Sequence, residues 1–224
     1  MSTGMTKSME LRLIRKASAG DAQAAAVLIR AHQSSVFAYI KRMAGRDDTA
    51  EDVTQEAFTR VLLHLDRFDS RYRFSTWLFT IARRIFLNMI EKKKPVADTD
   101  RLANTVWVGQ HVGGSSEYEE RRDTERELLQ QSLLALSREQ REIIVLFHQH
   151  DWPIWMIADQ LGIPEGTVKS HLFRGRMRLR DEYIRLEAQF AARAHSRQEA
   201  ARLARSTLTL SPASDAAAAK EVCS

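Results

Sequence analysis

The spacing of apolar residues is the feature that most limits how this chain can fold. Apolar residues recur at steps of three and four along most of its 224 residues, and alternating runs typical of strands are hard to find. Only nine glycines and four prolines interrupt the pattern. The sequence therefore predicts an all-α protein.

The helical pattern is interrupted once over a long stretch. Three helical patterns come first, over residues 9–45, 49–68 and 75–94. The stretch that follows, PVADTDRLANTVWVGQHVGGSS, has a Gly pair, small polar residues and no sustained period, which indicates a flexible linker. A second helical block comes after it, and the end of the chain looks frayed. We expect two small helical domains at 1–95 and 117–187, a flexible linker at 96–116, and a partly disordered C-terminal extension at 188–224.

Charge and cysteine content limit the partner and the compartment. The chain has 34 Lys and Arg against 29 Asp and Glu, a net charge of +5, which mildly favours a polyanionic partner such as nucleic acid. Cys223 is the only cysteine, so one chain can form no disulfide and no cysteine zinc site. No signal-peptide core and no run of about 18 apolar residues occurs. We expect a cytoplasmic protein that is not inserted in a membrane.

The best sequence candidate for a metal site is HQHD, with His148, His150 and Asp151. Two histidines two residues apart diverge on a helix, and the spacing suggests no third ligand. A Ser/His/Asp nucleophile and a phosphate-binding Gly loop have no support in the sequence. We therefore expect no enzymatic activity, no metal and no cofactor.

The stretch LGIPEGTVKSHLFRGRMRLR, residues 161–180, has the pattern of a helix-turn-helix. Gly162 supplies the turn between two short helices, and an upstream capping box, Ser137 with Gln140, opens a further helix. At 100° per residue, one stripe of the second helix faces a core, and it contains Val168, Leu172, Gly175 and Leu179. The Lys, Ser, His and Arg residues around this stripe can contact phosphates and base edges. A solvated basic helix is the alternative, and the turn together with the charge favours DNA reading.

The segment DDTAEDVTQEAFTRVLLHLDRF carries five carboxylates and no cation within residues 47–56. On a helix, its apolar residues form an inner arc of Val53, Phe58, Val61, Leu62 and Leu65. The outer arc is acidic and polar, with Glu51, Asp52, Gln55, Glu56 and Thr59. Composition alone leaves open whether this face is merely solvated or docks a partner.

The segment RFDSRYRFSTWLFTIARRIFLNMIEKKK interleaves aromatic and cationic residues, with six aromatics between Phe68 and Phe86. Aromatics that stack on bases and cations that neutralise phosphates are what a single-stranded nucleic acid site needs. We interpret the middle of the helix as core. The preceding loop, residues 68–75, is too polar and too rich in Arg for core alone, and it predicts a pocket for an unstacked base.

Three motifs in this order, AEDVTQEAFTRVL, FSTWLFTIARR and GTVKSHLFRGRMRLR, resemble the extracytoplasmic-function (ECF) group of bacterial sigma factors. The resemblance covers about residues 9–183. The helix-turn-helix alone is also similar to that of LuxR-type regulators, which would instead bind duplex DNA without core polymerase. Such a regulator would carry a domain of alternating strands and helices in front of it, and none is visible.

The resemblance implies a sigma factor that binds core RNA polymerase and recognises and opens promoter DNA to direct promoter-specific transcription initiation. It implies three sets of contact residues. The polymerase would be bound by Glu51, Asp52, Gln55 and Glu56. The minus-ten element would be bound by Phe68, Arg71, Arg73, Phe74, Arg84 and Asn88. The minus-thirty-five element would be bound by Lys169, Ser170, His171, Phe173 and Arg174.

Some roles stay open at this stage. Trp155 stands where related sequences often have an acidic residue, so it is either an extra core residue or part of a partner-binding patch. Thr54 lies beside the acidic face and is a candidate phosphorylation site. The sequence leaves open which promoters are used and whether an anti-sigma factor, phosphorylation or the C-terminal extension controls the chain.

Overall fold

The computed structural model describes residues 5–93 and 117–208, so the predicted linker and the last sixteen residues, 209–224, lie outside the described residues. The described residues form α1 (Lys7–Ser18), α2 (Ala22–Ala44), α3 (Asp47–Leu63), a short 3-10 helix (Leu65–Arg67), α4 (Phe74–Lys93), α5 (Glu117–Leu134), α6 (Arg138–Gln149), α7 (Ile154–Leu161) and α8 (Glu165–Leu208). Within these two ranges there is no strand. The prediction of an all-α fold is confirmed.

The first predicted helix is in fact two helices, because a cap interrupts the pattern. Asp21 is the N-cap of α2, and its carboxylate accepts hydrogen bonds from the backbone N–H of Gln23 at 2.9 Å and of Ala24 at 3.0 Å. These bonds satisfy donors that the first turn of a helix leaves free. Gly20, with φ of +91°, allows the reversal before the cap.

Helices α1 to α4 enclose the core of the first half of the chain, which we define as residues 5–93. The predicted inner arc of α3 faces this core, since Val53, Phe58 and Val61 are buried. Leu28, Val36 and Ile40 of α2 and Leu78, Ala82 and Phe86 of α4 complete it. The acidic outer arc of α3 is left on the surface, as its helical period predicts.

Helices α5 to α8 form the second half, which we define as residues 117–183. Ser137 caps α6 by accepting a hydrogen bond from the backbone N–H of Gln140 at 3.3 Å, as the capping-box pattern predicts. Gly162 ends α7 in the left-handed conformation, with φ of 67°, and so makes the turn of the helix-turn-helix. Val168 and Leu172 of α8 are buried, which confirms the predicted inward stripe.

The two halves are packed together. Residues Met1–Tyr183 form one compact unit, and Ile184–Ser224 form another. In the second unit, α8 continues to Leu208. No described helix is long and apolar enough to cross a membrane.

Candidate nucleic-acid interface

The predicted acidic face lies where the sequence places it, on the outside of α3. Glu51, Asp52, Gln55 and Glu56 are all exposed. Glu56 pairs with Arg60 one turn along the helix at 2.6 Å, an exposed pair that contributes little to stability. The face therefore offers carboxylates to a cationic partner.

A groove of about 410 Å³ runs beside this face, between α2 and α3. Its lining is apolar at Ile29, Phe37, Phe58 and Leu62, whereas Glu51 and Gln55 belong to its rim and to the acidic face. Thr54 also lines the groove, and its side chain is buried with no hydrogen-bond partner for the hydroxyl among the described residues. A buried hydroxyl is not open to a kinase, so this structure does not support Thr54 as a phosphorylation site.

The loop before α4 contains one predicted contact that the structure corrects. Phe74 is 1% exposed, because it is the first residue of α4 and points into the core beside His32, with ring centroids 5.2 Å apart. Phe68 is half-buried and packs on Phe74 at 5.8 Å and on Trp77 at 5.5 Å. Phe74 therefore cannot stack on a base in this arrangement, and it supports the ring of Phe68 instead.

The loop presents an aromatic side chain that the predicted set omitted. Tyr72 is 57% exposed and lies between the exposed residues Arg71 and Arg73. Asp69 holds the loop in a turn by accepting from the backbone N–H of Arg71 at 2.9 Å, and it pairs with the Arg71 guanidinium at 2.6 Å. Hydrogen bonds from Arg71 lower the pKa of Asp69. The sequence does show Tyr72 as an aromatic residue between two cations. It does not show which ring of the loop is exposed, because that depends on how α4 packs.

Helix α4 separates two neighbouring arginines that the sequence could not tell apart. Arg84 and Asn88 are exposed and lie one turn apart on the same face. Arg83 instead points toward the second half, where it pairs with Glu142 at 2.5 Å. The predicted minus-ten residues Arg84 and Asn88 are therefore accessible on α4, the helix that follows the loop. The Arg83 side chain is instead occupied by its ion pair with Glu142.

The exposed face of the predicted recognition helix carries four of its five predicted residues. Lys169, Ser170, Phe173 and Arg174 are exposed, and Phe173 reaches 67% exposure. His171 is half-buried, and its Nδ1 atom is buried without a hydrogen-bond partner among the described residues. The helix therefore presents cations and one aromatic ring, with His171 set partly behind them.

A close contact holds this helix against α6. A Cβ atom added to Gly175 would lie 2.8 Å from the Cδ1 atom of Ile144. Arg176 adds a second contact, since its Nε atom lies 3.0 Å from Nε2 of His148 and its guanidinium lies over the ring of Phe147. Burial, then the charge of Arg176, lowers the pKa of His148 and so favours the neutral ring that can accept this bond.

Trp155 is 59% exposed on α7. An exposed Trp155 is not a core residue, and its part in a partner-binding patch stays a prediction. The part of the chain that the structure describes holds no group of three or more His, Cys, Asp or Glu residues that could bind a metal ion.

Two known family models match the chain, one in each of the two helical domains expected from the sequence. Residues 28–96 match the family model for Sigma-70 region 2, and residues 126–179 match the one for Sigma-70 region 4. The first match covers α3 and α4, and the second covers the helix-turn-helix. A match to region 2 does not favour the alternative of a LuxR-type regulator.

Relatives and solved structures agree with these matches. The chain is 33% identical to the ECF RNA polymerase sigma factor SigW of Bacillus subtilis over 179 residues, which cover 75% of this chain and 94% of the relative. It is 35% identical to the ECF RNA polymerase sigma factor SigL of Mycobacterium tuberculosis over 161 residues, 68% of this chain and 87% of the relative.

Two solved structures share the fold at lower identity. The sigma factor RpoE from Bartonella quintana, in complex with the anti-sigma factor NepR, has a TM-score of 0.54 at 23% identity and covers 69% of this chain and 92% of its own. CnrH, in complex with the cytosolic domain of CnrY, has a TM-score of 0.55 at 20% identity and covers 76% of this chain and 94% of its own. With both sigma regions matched in order, the chain belongs to the ECF RNA polymerase sigma factors and directs promoter-specific transcription initiation.

Proposed function

We propose that this sigma factor docks on core RNA polymerase through α3 and contacts two promoter elements, one with each half of the described unit. The observation that carries the proposal is the order of three exposed surfaces of different chemistry. An acidic helix face comes first, an aromatic loop flanked by arginines follows, and a cationic recognition helix comes last. The acidic face fits cations of a protein partner. The aromatic loop fits unpaired bases, and the cationic helix fits duplex DNA.

Docking on the polymerase would use Glu51, Asp52, Gln55 and Glu56. The groove beside them adds an apolar floor, so the fitting partner is a helix with basic residues on one side and apolar residues on the other. Charge would then orient the partner, and the groove would supply the apolar contact.

Capture of the minus-ten element would use Phe68, Arg71, Arg73, Arg84 and Asn88, with Tyr72 added and Phe74 moved to a supporting role. A base gains stacking and hydrogen bonds at such a site only after it leaves the duplex, and this gain offsets an unpairing cost of a few kcal/mol. The arginines would neutralise the phosphates of the displaced strand. The duplex opens because the site binds the unpaired strand more tightly than the paired one.

Recognition of the minus-thirty-five element would use Lys169, Ser170, His171, Phe173 and Arg174 on the exposed side of α8. Lys169 and Arg174 can contact phosphates or the O6 and N7 atoms of guanine, and the Phe173 ring fits the methyl group of thymine. His171 is half-buried, so its contact requires a small change of its side chain or a water-mediated bond.

We assign residues 1–95 to polymerase binding and minus-ten recognition, 96–116 to a linker, 117–187 to minus-thirty-five recognition and 188–224 to a C-terminal extension. We infer that the chain works in the cytoplasm and has no catalytic residue of its own, because RNA synthesis is performed by the polymerase. An anti-sigma factor is a further partner that we propose, since a related fold is found in a complex with one.

The test measures core binding and promoter-dependent initiation separately. With purified core polymerase, the folded chain should bind and start transcription at defined promoters of genomic DNA. Glu51→Lys combined with Glu56→Lys should abolish core binding, whereas Glu125→Lys on the exposed side of α5 should not. Lys169→Ala with Arg174→Ala should retain core binding and lose minus-thirty-five-dependent initiation. A folded wild-type chain that neither binds core nor initiates would contradict the proposal.

A further inference from the structure

Helix α1 (Lys7–Ser18) lies outside both family matches, since the region 2 match begins at residue 28. The helix nevertheless packs on the core of the first half, where its Ile14 is 5% exposed. Its only acidic residue, Glu10, is turned inward, and the Oε1 atom of Glu10 lies 3.1 Å from Nε2 of the buried His32. The charged side chains that α1 presents to solvent are therefore all cationic.

Three of these cations form one face, which we call the cationic face of α1 and define as Arg12, Arg15 and Lys16. Their spacing of three and four residues places them side by side on the helix. All three are exposed, and none has an ion-pair partner among the residues that the structure describes. Together with Thr6 and Ser8, they line a shallow hollow of about 740 Å³.

Helix stability explains only part of this charge. Arg15 and Lys16 lie in the last turn, where cations favour the negative end of the helix dipole. Arg12 lies in the middle of the helix, and it is one turn from Lys16, so the two like charges repel each other. Lys7 is the first residue of α1, at the positive end of the dipole, where a cation is unfavourable. An anion bound to this surface would remove the repulsion.

The cationic face begins beside the aromatic loop, residues 68–75, that is proposed to capture the minus-ten element. Nζ of Lys7 lies 3.4 Å from the backbone carbonyl oxygen of Arg71. Helix α1 also packs on the 3-10 helix Leu65–Arg67, which leads into the loop. At 100° per residue, Arg15 lies about 80° round the helix from Lys7, and Lys16 lies about 14 Å along it. A DNA strand that leaves the loop past Lys7 therefore meets the cationic face next.

Neighbouring acidic residues do not cancel this charge. Asp66 is exposed on the 3-10 helix, but the next residue, Arg67, is exposed as well. Asp69 in the loop is paired with Arg71 at 2.6 Å. The surface formed by α1, the 3-10 helix and the loop is thus net positive, and such a surface attracts phosphates.

We propose that the cationic face of α1 is a further DNA site, which binds phosphates of the unpaired strand where that strand continues past the minus-ten element. The site is indifferent to base identity, because contacts to phosphates carry no sequence information. This inference rests on the proposed role of the loop in minus-ten capture. The effect of the site is to hold the displaced strand and so to stabilise the open promoter.

The first test measures binding of single-stranded DNA to the complex of the chain with core polymerase, by fluorescence anisotropy. The short probe is a minus-ten oligonucleotide, and two extended probes carry a few thymidines added at its 5′ or its 3′ end. We expect one of the two additions to tighten binding to the wild type. The triple variant, Arg12→Ala with Arg15→Ala and Lys16→Ala, should lose this gain and keep its affinity for the short probe.

Salt dependence identifies phosphates as the ligand. For a single strand, the logarithm of the affinity falls with the logarithm of the salt concentration by about 0.7 per phosphate contacted. Three contacts add about 2 to this slope. A rise from about 50 to about 200 mM salt should therefore weaken binding of the extended probe about twentyfold more in the wild type than in the triple variant. An uncharged methylphosphonate extension should add nothing to the affinity of the wild type.

A matched control removes as many exposed cations from α5 and α6, and consists of Arg121→Ala, Arg126→Ala and Arg138→Ala. This control should keep both the gain and the salt slope. If the triple variant does not fold, as judged by circular dichroism, Arg12→Gln alone decides. A slope lower by about 0.7 supports the site, and an unchanged slope refutes it.

Three results with a folded triple variant would overturn the proposal. The first is binding of the extended probes with the affinity and the salt slope of the wild type. The second is an equal loss of affinity for the short and the extended probes, because α1 would then support the loop rather than bind DNA. The third is lost binding to phosphatidylglycerol vesicles with DNA binding unchanged, because the face would then recognise a lipid surface. Failure of the proposed function looks different, since even the short probe would then not bind the wild-type complex.

Discussion

Substitution of Gly175 by Ala tests the close approach that positions the recognition helix. The added Cβ atom would lie 2.8 Å from Cδ1 of Ile144 and 3.5 Å from Cβ of Gln140. Ala is favoured over Gly inside a helix by about 0.5–1 kcal/mol, whereas overpacking of a core contact costs about 1–3 kcal/mol. Ile144 is buried, so its side chain has little space into which to move. We therefore expect Gly175→Ala to lower the free energy of unfolding by about 1 kcal/mol.

A double-mutant cycle identifies the clashing atom. Ile144→Val removes Cδ1 and should by itself cost about 0.5–1.5 kcal/mol. In the double variant the methyl group added by Gly175→Ala occupies the space that Cδ1 leaves, so this substitution should become neutral or stabilising. Urea denaturation of the four proteins measures these free energies. Additive costs, with a coupling energy below about 0.5 kcal/mol, would refute the steric argument.

Three further predictions follow from burial and exposure. Burial lowers the pKa of His150 to about 4, against about 6.5 in an unfolded chain. As the pH falls from about 6.5 to 4, the unfolded chain therefore binds a proton that the folded chain does not, and His150 lowers the stability by up to about 3 kcal/mol; an NMR titration midpoint of its ring near 6.5 would contradict this. Tyr72→Ala should weaken binding of single-stranded minus-ten DNA to the polymerase complex by about 1–3 kcal/mol, measured by fluorescence anisotropy. Tyr72→Phe should retain most of the affinity, and equal losses in both variants would argue against stacking. Trp155→Glu should remain folded and change the free energy of unfolding by less than about 0.5 kcal/mol, because the side chain is exposed; loss of the helical circular dichroism signal would show that Trp155 is core.

Periodicity predicted the faces of single helices well. Val53, Phe58 and Val61 on the inner arc of α3 are buried as expected. Val168 and Leu172 on α8 are buried too, because each helix has one core to cover. The break at Gly20 and Asp21 was also readable from the sequence, as a glycine followed by a capping residue. These features depend on local chemistry, and the sequence contains all of it.

Contacts between distant segments could not be predicted in this way. Arg83 and Arg84 are neighbours of the same type, and only the position of Glu142 in the folded chain engages one and leaves the other exposed. Glu142 lies 103 residues from Tyr39, and no spacing rule links the two. Phe74 was assigned to DNA through the family resemblance of its loop, but the start of α4 directs its ring into the core. The pattern shows which residue types are present, whereas tertiary packing determines which of them reach the surface.

Promoter opening is the measurement that most directly tests the assignment of this chain as a two-site promoter-binding sigma factor. Permanganate reactivity of unpaired thymines in the minus-ten element reports opening on a promoter that the chain uses. We predict reactivity with core polymerase and the chain together, none with either alone, and a strong loss with Tyr72→Ala or with Lys169→Ala plus Arg174→Ala. A folded chain that binds core polymerase but leaves these thymines unreactive on every promoter would contradict the account.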